Sequence, residues 1–249
     1  RKFCKFTLMN KVTLMKIIFS GRALETSIRL IFSRQFDCEK EKKITKPLIK
    51  YKGKTLLEYH LINLEKLDVK KNFINTFKKK RIFNNFKKKK QLNFEIIDEK
   101  KLRGTAGVII SNLNNFTDEI MVLYGDNFIN FDVKKFYNYF INNDCDLLIG
   151  VFKKKDLSIS GSVEFTKNNE ILVFNEKDPK LKDKSGFCNA GVYLIKKQFL
   201  DKFKKNKFLD FGHDIFLKKF LNKKCQIYKI KSCKAFDTIE LYNKNLINS

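Results

Sequence analysis

The sequence predicts an α/β fold: a doubly wound, mainly parallel, Rossmann-like mixed sheet with helices on both faces and a small substrate-binding lobe. Three observations predict it. Short apolar strand candidates alternate with helix candidates through the first 150 residues, as βα units do. A glycine-bearing loop, Arg103-Gly104-Thr105-Ala106-Gly107, opens one of those helices. An apolar strand, Ile120-Met121-Val122-Leu123-Tyr124, then ends in Gly125-Asp126. Open α/β sheets bind ligands at the carboxyl edge of their strands. Amides exposed at a helix start suit anions, and a carboxylate at a strand tip is placed to hold Mg²⁺.

Residues 1–14 read as an N-terminal extension and 15–249 as a single domain. The first strand is expected at 15–19, followed by an irregular stretch from 20 to 45. Lys46-Pro47-Leu48-Ile49 leads to a turn at Gly53. Thr55-Leu56-Leu57-Glu58 matches a capping box, and Leu56, Tyr59, His60 and Leu64 recur at helical spacing, with His60 on the face towards the core. A short strand at 73–76, a lysine-laden helix within 77–90, a strand at 94–97, a helix within 103–113 and the strand at 120–124 follow. A helix at 136–142 precedes a strand at 146–151, whose unbroken apolar run marks it as buried. Beyond residue 150 come strands at 163–165, 171–174 and 191–195, helices near 197–204 and 212–221, and a strand near 226–230. No internal repeat is visible.

The 249 residues suffice for one large α/β domain, and 43% hydrophobic content supplies a core. A formal charge of +26, from 53 Lys+Arg against 27 Asp+Glu, attracts anionic small molecules and raises nucleic acid as a partner. A/T-rich codons give the same Lys, Asn, Ile and Phe bias. The clusters Lys78-Lys79-Lys80-Arg81 and Lys87-Lys88-Lys89-Lys90 read as a solvated surface. Phe77, Phe83 and Phe86 between them read as core residues at helical spacing rather than a base-stacking platform, so nucleic acid is not the expected partner. Six cysteines without C-x-x-C spacing and only two histidines argue against structural zinc. Their scatter along apolar stretches suits reduced core thiols. No apolar run approaches the roughly 18–20 residues of a membrane span, and lysines interrupt the apolar content of the first ten residues. The expected location is the cytoplasm.

Eight fragments in order carry a resemblance: Lys46-Pro47-Leu48-Ile49 with Gly53-Lys54-Thr55-Leu56-Leu57-Glu58-Tyr59; Gly104-Thr105-Ala106-Gly107; Gly125-Asp126; Gly161-Ser162-Val163-Glu164; Glu176-Lys177; Asn189-Ala190-Gly191-Val192-Tyr193; Asp210-Phe211-Gly212-His213-Asp214; and Asp237. From Met15 to about Asn245 the chain resembles the sugar-1-phosphate nucleotidyltransferases, or NDP-sugar pyrophosphorylases, and is most similar to their mannose- or heptose-1-phosphate guanylyltransferase branch. The resemblance implies a nucleotide-diphospho-sugar transferase-like fold, with a nucleotide-binding half at 15–150 and a sugar-binding half at 151–249. It implies NTP and sugar 1-phosphate as substrates, Mg²⁺ as cofactor and a homodimer or homotetramer as the assembly. Asp126 and Asp237 would hold the metal. Lys46 would contact the triphosphate, and Lys177 the sugar phosphate. Glu176 would accept hydrogen bonds from sugar hydroxyls beside Gly161 and Asn189. Gly104, Thr105 and Ala106 would lie against the base, with Gly125 before the metal acid. Because the attacking group is already a phosphate anion, positioning and charge neutralisation suffice and no strong general base is needed.

The stretch after the first strand departs from the family pattern. The family has a glycine-rich loop, Gly-Gly-x-Gly-Thr-Arg-Leu, whose backbone cradles the triphosphate. Here the chain reads Ser20-Gly21-Arg22-Ala23-Leu24-Glu25-Thr26-Ser27-Ile28-Arg29-Leu30. Gly21 keeps the nucleotide-binding position, and Arg29 corresponds to the catalytic arginine. Lost glycines reduce close backbone approach to phosphate, which opens the alternative of a relative that binds nucleotide or a partner without turnover.

Overall fold

The computed structural model describes residues 14–19, 45–67, 69–203, 207–216, 224–236, 241, 242 and 245. Strand β1 (Leu14–Phe19) comes first. A 3₁₀ turn, Lys46–Leu48, carries Pro47 in its first positions, where a missing N–H costs nothing. The hairpin of β2 (Lys50–Tyr51) and β3 (Lys54–Thr55) turns at Gly53, whose φ of 83° favours glycine. Helix α1 (Leu56–Glu65) begins with the expected capping box. Glu58 N donates to Thr55 Oγ1 at 3.1 Å, and Thr55 N donates back to Glu58 Oε2 at 2.8 Å. Leu57, His60, Leu61 and Leu64 form its buried face.

Next come β4 (Val69–Phe77), α2 (Lys80–Lys90), β5 (Glu95–Glu99), α3 (Gly104–Ser111), β6 (Glu119–Tyr124), β7 (Asn127–Asn130), α4 (Val133–Asn142) and β8 (Leu147–Lys154). In α2 Phe83 is fully buried and Phe86 packs on the same core, whereas Phe77, at the end of β4, is half-buried under Lys78. The second half adds β9 (Gly161–Phe165), β10 (Ile171–Glu176), β11 (Gly186–Lys196), α5 (Lys197–Asp201), a π-helical segment at Phe211–Phe216, β12 (Cys225–Lys229) and β13 (Ser232–Ala235).

A nine-stranded mixed sheet runs β10-β9-β11-β6-β1-β4-β5, with β8 pairing β11 and β12 beside it. Strands β6, β1, β4 and β5 are mutually parallel, whereas β11 joins β6, β8 and β9 antiparallel. Two apolar layers cover the faces. Along β6, Ile120 and Val122 enter the layer containing α3, while Met121 and Leu123 enter the one containing α1, α2 and α4. That alternation is the period-2 geometry of a strand buried on both sides.

Several elements differ from the sequence expectation. β7 and β13 pair antiparallel as a separate ribbon; each is four residues of mixed polarity, so neither presents an apolar run. β11 is eleven residues rather than five, because an irregularity between Asn189 and Tyr193, with Gly191 at φ 73°, interrupts its pattern. The helix expected at 197–204 ends at Asp201, and that at 212–221 is described as Phe211–Phe216. Among the described residues Cys145, Cys188, Cys225 and Cys233 are not joined in disulfides, and the first three are buried. Among the described residues no helix is long and apolar enough to cross a membrane.

Candidate active site

Strand β6 delivers Gly125 and Asp126 to the carboxyl edge of the parallel half, and β7 starts one residue later. Asp126 Oδ2 accepts from Lys46 Nζ at 3.0 Å, although 80 residues separate the two in sequence. The Lys46 side chain is 5% exposed and that of Asp126 16%. An ammonium so far out of water needs a paired anion. The chain thus joins two of the predicted site residues by a direct ion pair.

Two supports hold that corner. His60, on α1, is 2% exposed and interacts with the Tyr124 and Asn127 backbones on either side of the turn. Burial pushes its imidazole down to about 4, so it is neutral at pH 7. On the other side, Phe236 N donates to the Asp126 carbonyl at 2.9 Å, tying the end of the β7–β13 ribbon to the acid's own backbone. Asp237 is the next residue, but it lies outside the described residues, as do Gly21 and Arg29.

Glu176 ends β10. It is half-buried, and burial raises its pKa against the opposing charges of Lys177 and His213, with Asp210 adding to the rise. Gly161 lies beside it: a methyl group there would come within 2.9 Å of Glu176 Oε2 and 2.6 Å of the Phe174 ring. Lys177 is exposed and sits at φ 51°, a conformation costly for a residue with a Cβ. Asn189 donates to the Tyr193 hydroxyl at 2.6 Å and accepts from Gly191 N at 2.8 Å. Tyr193 in turn meets Tyr124, and Tyr124 meets Thr105, in one hydrogen-bonded line from the sugar-side strand to α3. Burial pushes the Tyr124 phenol up to about 12.

The start of α3 is not the open anion seat that its sequence implies. Thr105 N and Thr105 Oγ1 donate to Asp210 Oδ1 at 2.8 and 3.0 Å. Ala106 N and Gly107 N both donate to the Leu209 carbonyl at 2.8 and 2.9 Å. The protein supplies its own carboxylate and carbonyl to the helix N-terminus. Ala106 is fully buried, which leaves neither side chain nor amide for a base. A Cβ at Gly104 (φ 75°) would lie 2.5 Å from Leu209 O, and one at Gly107 2.5 Å from Lys207 O. These glycines admit a neighbouring stretch of chain. Sequence reasoning missed Tyr124, Asp210 and the bracing role of His60. Tyr124 stands two residues before Asp126, Asp210 opens one of the family fragments, and His60 is expected on a core-facing side, but none of these carries its particular contact.

The doubly covered mixed sheet, with a lysine–aspartate pair at its parallel edge and a half-buried glutamate at the end of β10, is consistent with a nucleotide-diphospho-sugar transferase-like fold. The family model described as "Nucleotidyl transferase" matches residues 41–235, well over half of the chain. The chain belongs to that family, among the sugar-1-phosphate nucleotidyltransferases. A Sulfolobus acidocaldarius protein provisionally named mannose-1-phosphate guanyltransferase is 30% identical over 168 residues, 64% of this chain and 45% of that one. The D-glycero-alpha-D-manno-heptose 1-phosphate guanylyltransferase of Campylobacter jejuni is 27% identical over 164 residues, covering 65% and 71%. The match thus spans about half of the first relative's length and most of the second's. The crystal structure of HddC from Yersinia pseudotuberculosis superposes with a TM-score of 0.71 at 22% identity, over 94% of this chain and 98% of that one.

Proposed function

We propose that this protein transfers a nucleotidyl group from a nucleoside triphosphate to a sugar 1-phosphate and releases pyrophosphate, with GTP and mannose or heptose 1-phosphate as the pair. The Lys46–Asp126 contact carries the reading: it unites two sequence-distant residues of the family pattern at the edge where α/β sheets bind ligands. A sugar-phosphate oxygen forms the new bond to the α-phosphorus as the bond to the pyrophosphate oxygen breaks. The nucleophile is already ionised, so no proton has to be removed. His60 is buried and neutral, and exposed His213 lies beside Glu176.

The chain's task is then placement and charge. Lys46 holds a fixed positive charge beside the triphosphate, oriented by Asp126. Glu176 presents its carboxylate to sugar hydroxyls, and Gly161 leaves room beside it. Lys177 meets the sugar phosphate, and Asn189 lines the sugar pocket through its fixed amide. Gly104 and Thr105 border the base with the parts that Asp210 and Leu209 leave open. Gly21 and Arg29 serve the triphosphate. Asp126 fits a Mg²⁺ site by donor chemistry, a hard carboxylate oxygen at a strand tip, with Asp237 as the second carboxylate. Mg²⁺ bound there would neutralise phosphate charge. Residues 15–150 form the nucleotide half and 151–249 the sugar half.

Pyrophosphate release, measured for five nucleoside triphosphates against a panel of sugar 1-phosphates, tests the proposal. Release only when both substrates are present is expected; none in any combination would sink it. The missing glycines at 20–30 favour one second reading, a nucleotide-binding relative without turnover. Calorimetric NTP binding with no release would put that reading first.

A further inference from the structure

Residues 209–214 tie the two halves of the site together. At one end Asp210 Oδ1 holds Thr105, Phe211 N donates to Thr105 Oγ1 at 3.0 Å, and Leu209 N donates to the Arg103 carbonyl at 2.8 Å. Within the segment, Asp210 N donates to Asp214 Oδ2 at 2.7 Å and Asp214 N to the Asp210 carbonyl at 2.9 Å. Phe211, Ile215 and Phe216 anchor it in the core, where Phe211 and Phe216 lie 5.2 and 5.0 Å from Tyr193. At the other end Gly212 backs directly onto Glu176. A Cβ on Gly212 would overlap Oε2 and stand 2.9 Å from Cδ and 3.3 Å from Cγ of Glu176.

This contact is one-sided. The anchors prevent the segment from retreating, because moving it would pull the buried Phe211 and Phe216 rings out of the core. The Glu176 carboxylate is the free end of a side chain and yields first. Gly212 does not need its glycine for backbone reasons, since its φ is not in the left-handed region.

We infer that Gly212 is a positioning residue that sets how far the Glu176 carboxylate reaches into the sugar pocket, with the Thr105–Asp210 clamp fixing Gly212 relative to the nucleotide side. The inference deepens the transferase reading above and rests on it. A methyl at 212 drives the carboxylate off its seat and so changes recognition of the sugar and not of the triphosphate.

Kinetics on the full chain test this as a double-mutant cycle. Wild-type pyrophosphate release is measured first; if there is none, the transferase reading falls and the positioning role falls with it. In an active protein, Gly212→Ala is expected to raise the KM for the sugar 1-phosphate about tenfold, the scale of one displaced charged hydrogen bond. The KM for NTP should stay within about twofold and the fold intact by circular dichroism. Glu176→Asp shortens the acid by one methylene and makes room for the methyl. Adding Gly212→Ala to Glu176→Asp should therefore cost less than about twofold. Equal rises in both KM values, no rise at all, or the full tenfold cost persisting beside Asp at 176 would overturn the positioning role while leaving the transferase reading standing.

Discussion

The site's two half-buried carboxylates, Asp126 at the edge of the parallel strands and Glu176 at the end of an antiparallel pair, live under opposite conditions. Asp126 is locked onto a buried ammonium, and its own backbone accepts from Phe236. Glu176 is wedged between two glycines, and burial raises its pKa. One acid is satisfied by its own chain; the other is held poorly solvated, as an acceptor awaiting donors would be. Environment can divide tasks between two identical functional groups in this way.

The largest expected effect breaks the first of the two. Asp126→Ala should lower pyrophosphate release by about 10²–10³-fold, the scale for losing one charge-placing group. It should also destabilise the fold by about 3–5 kcal/mol, because Lys46 is left buried and unpaired. Adding Lys46→Met should restore the urea midpoint but not turnover. If the single variant is as stable as wild type, the pair does not hold the corner.

Glu176→Gln should act in the other direction. Turnover falls through a sugar 1-phosphate KM raised about tenfold, while the thermal midpoint holds or rises. The pH dependence fixes the sign. A carboxyl whose folded pKa lies above its ordinary value of 4.5 binds its proton more tightly when folded, so stability falls as pH rises through that window. Urea midpoints from pH 4 to 7 should fall less steeply in the Gln variant.

Gly104→Ala tests the segment between the acids. A left-handed φ combined with a 2.5 Å approach to Leu209 O should cost about 1–3 kcal/mol in thermal or urea unfolding. The smallest effect belongs to Asp144, a fully exposed acid pulled down to about 2 by hydrogen bonds from Lys196 and then Lys224. Its stabilisation is present above its ordinary value of 3.8 and is lost as pH falls towards 2. Asp144→Asn should remove that acid-range slope and leave turnover unchanged. A change in turnover would make Asp144 more than a surface acid.

The parts legible in the sequence were those with strong local chemistry. Thr55 and Glu58 name their own helix start, the apolar run of β6 points to Asp126, and Lys46 before Pro47 marks a turn that ends beside that acid. What could not be read depends on long-range contacts. Nothing near Gly104 says that Leu209 and Asp210 occupy its helix terminus 105 residues later. Nothing near Asn127 says that it pairs with Ala235. The glycines of α3 read as room for a nucleotide alone, because close approach by a neighbouring stretch of chain leaves the same residue type behind.

The ribbon that fastens Phe236 to Asp126 also has a consequence in time. Those partners are 110 positions apart (236 − 126). At about 5–20 residues per second of synthesis, the ribosome spends roughly 5–20 s between them. For that interval the nascent chain carries Asp126 without the backbone bracket that Phe236 supplies, so this corner of the fold closes late in translation rather than building up gradually.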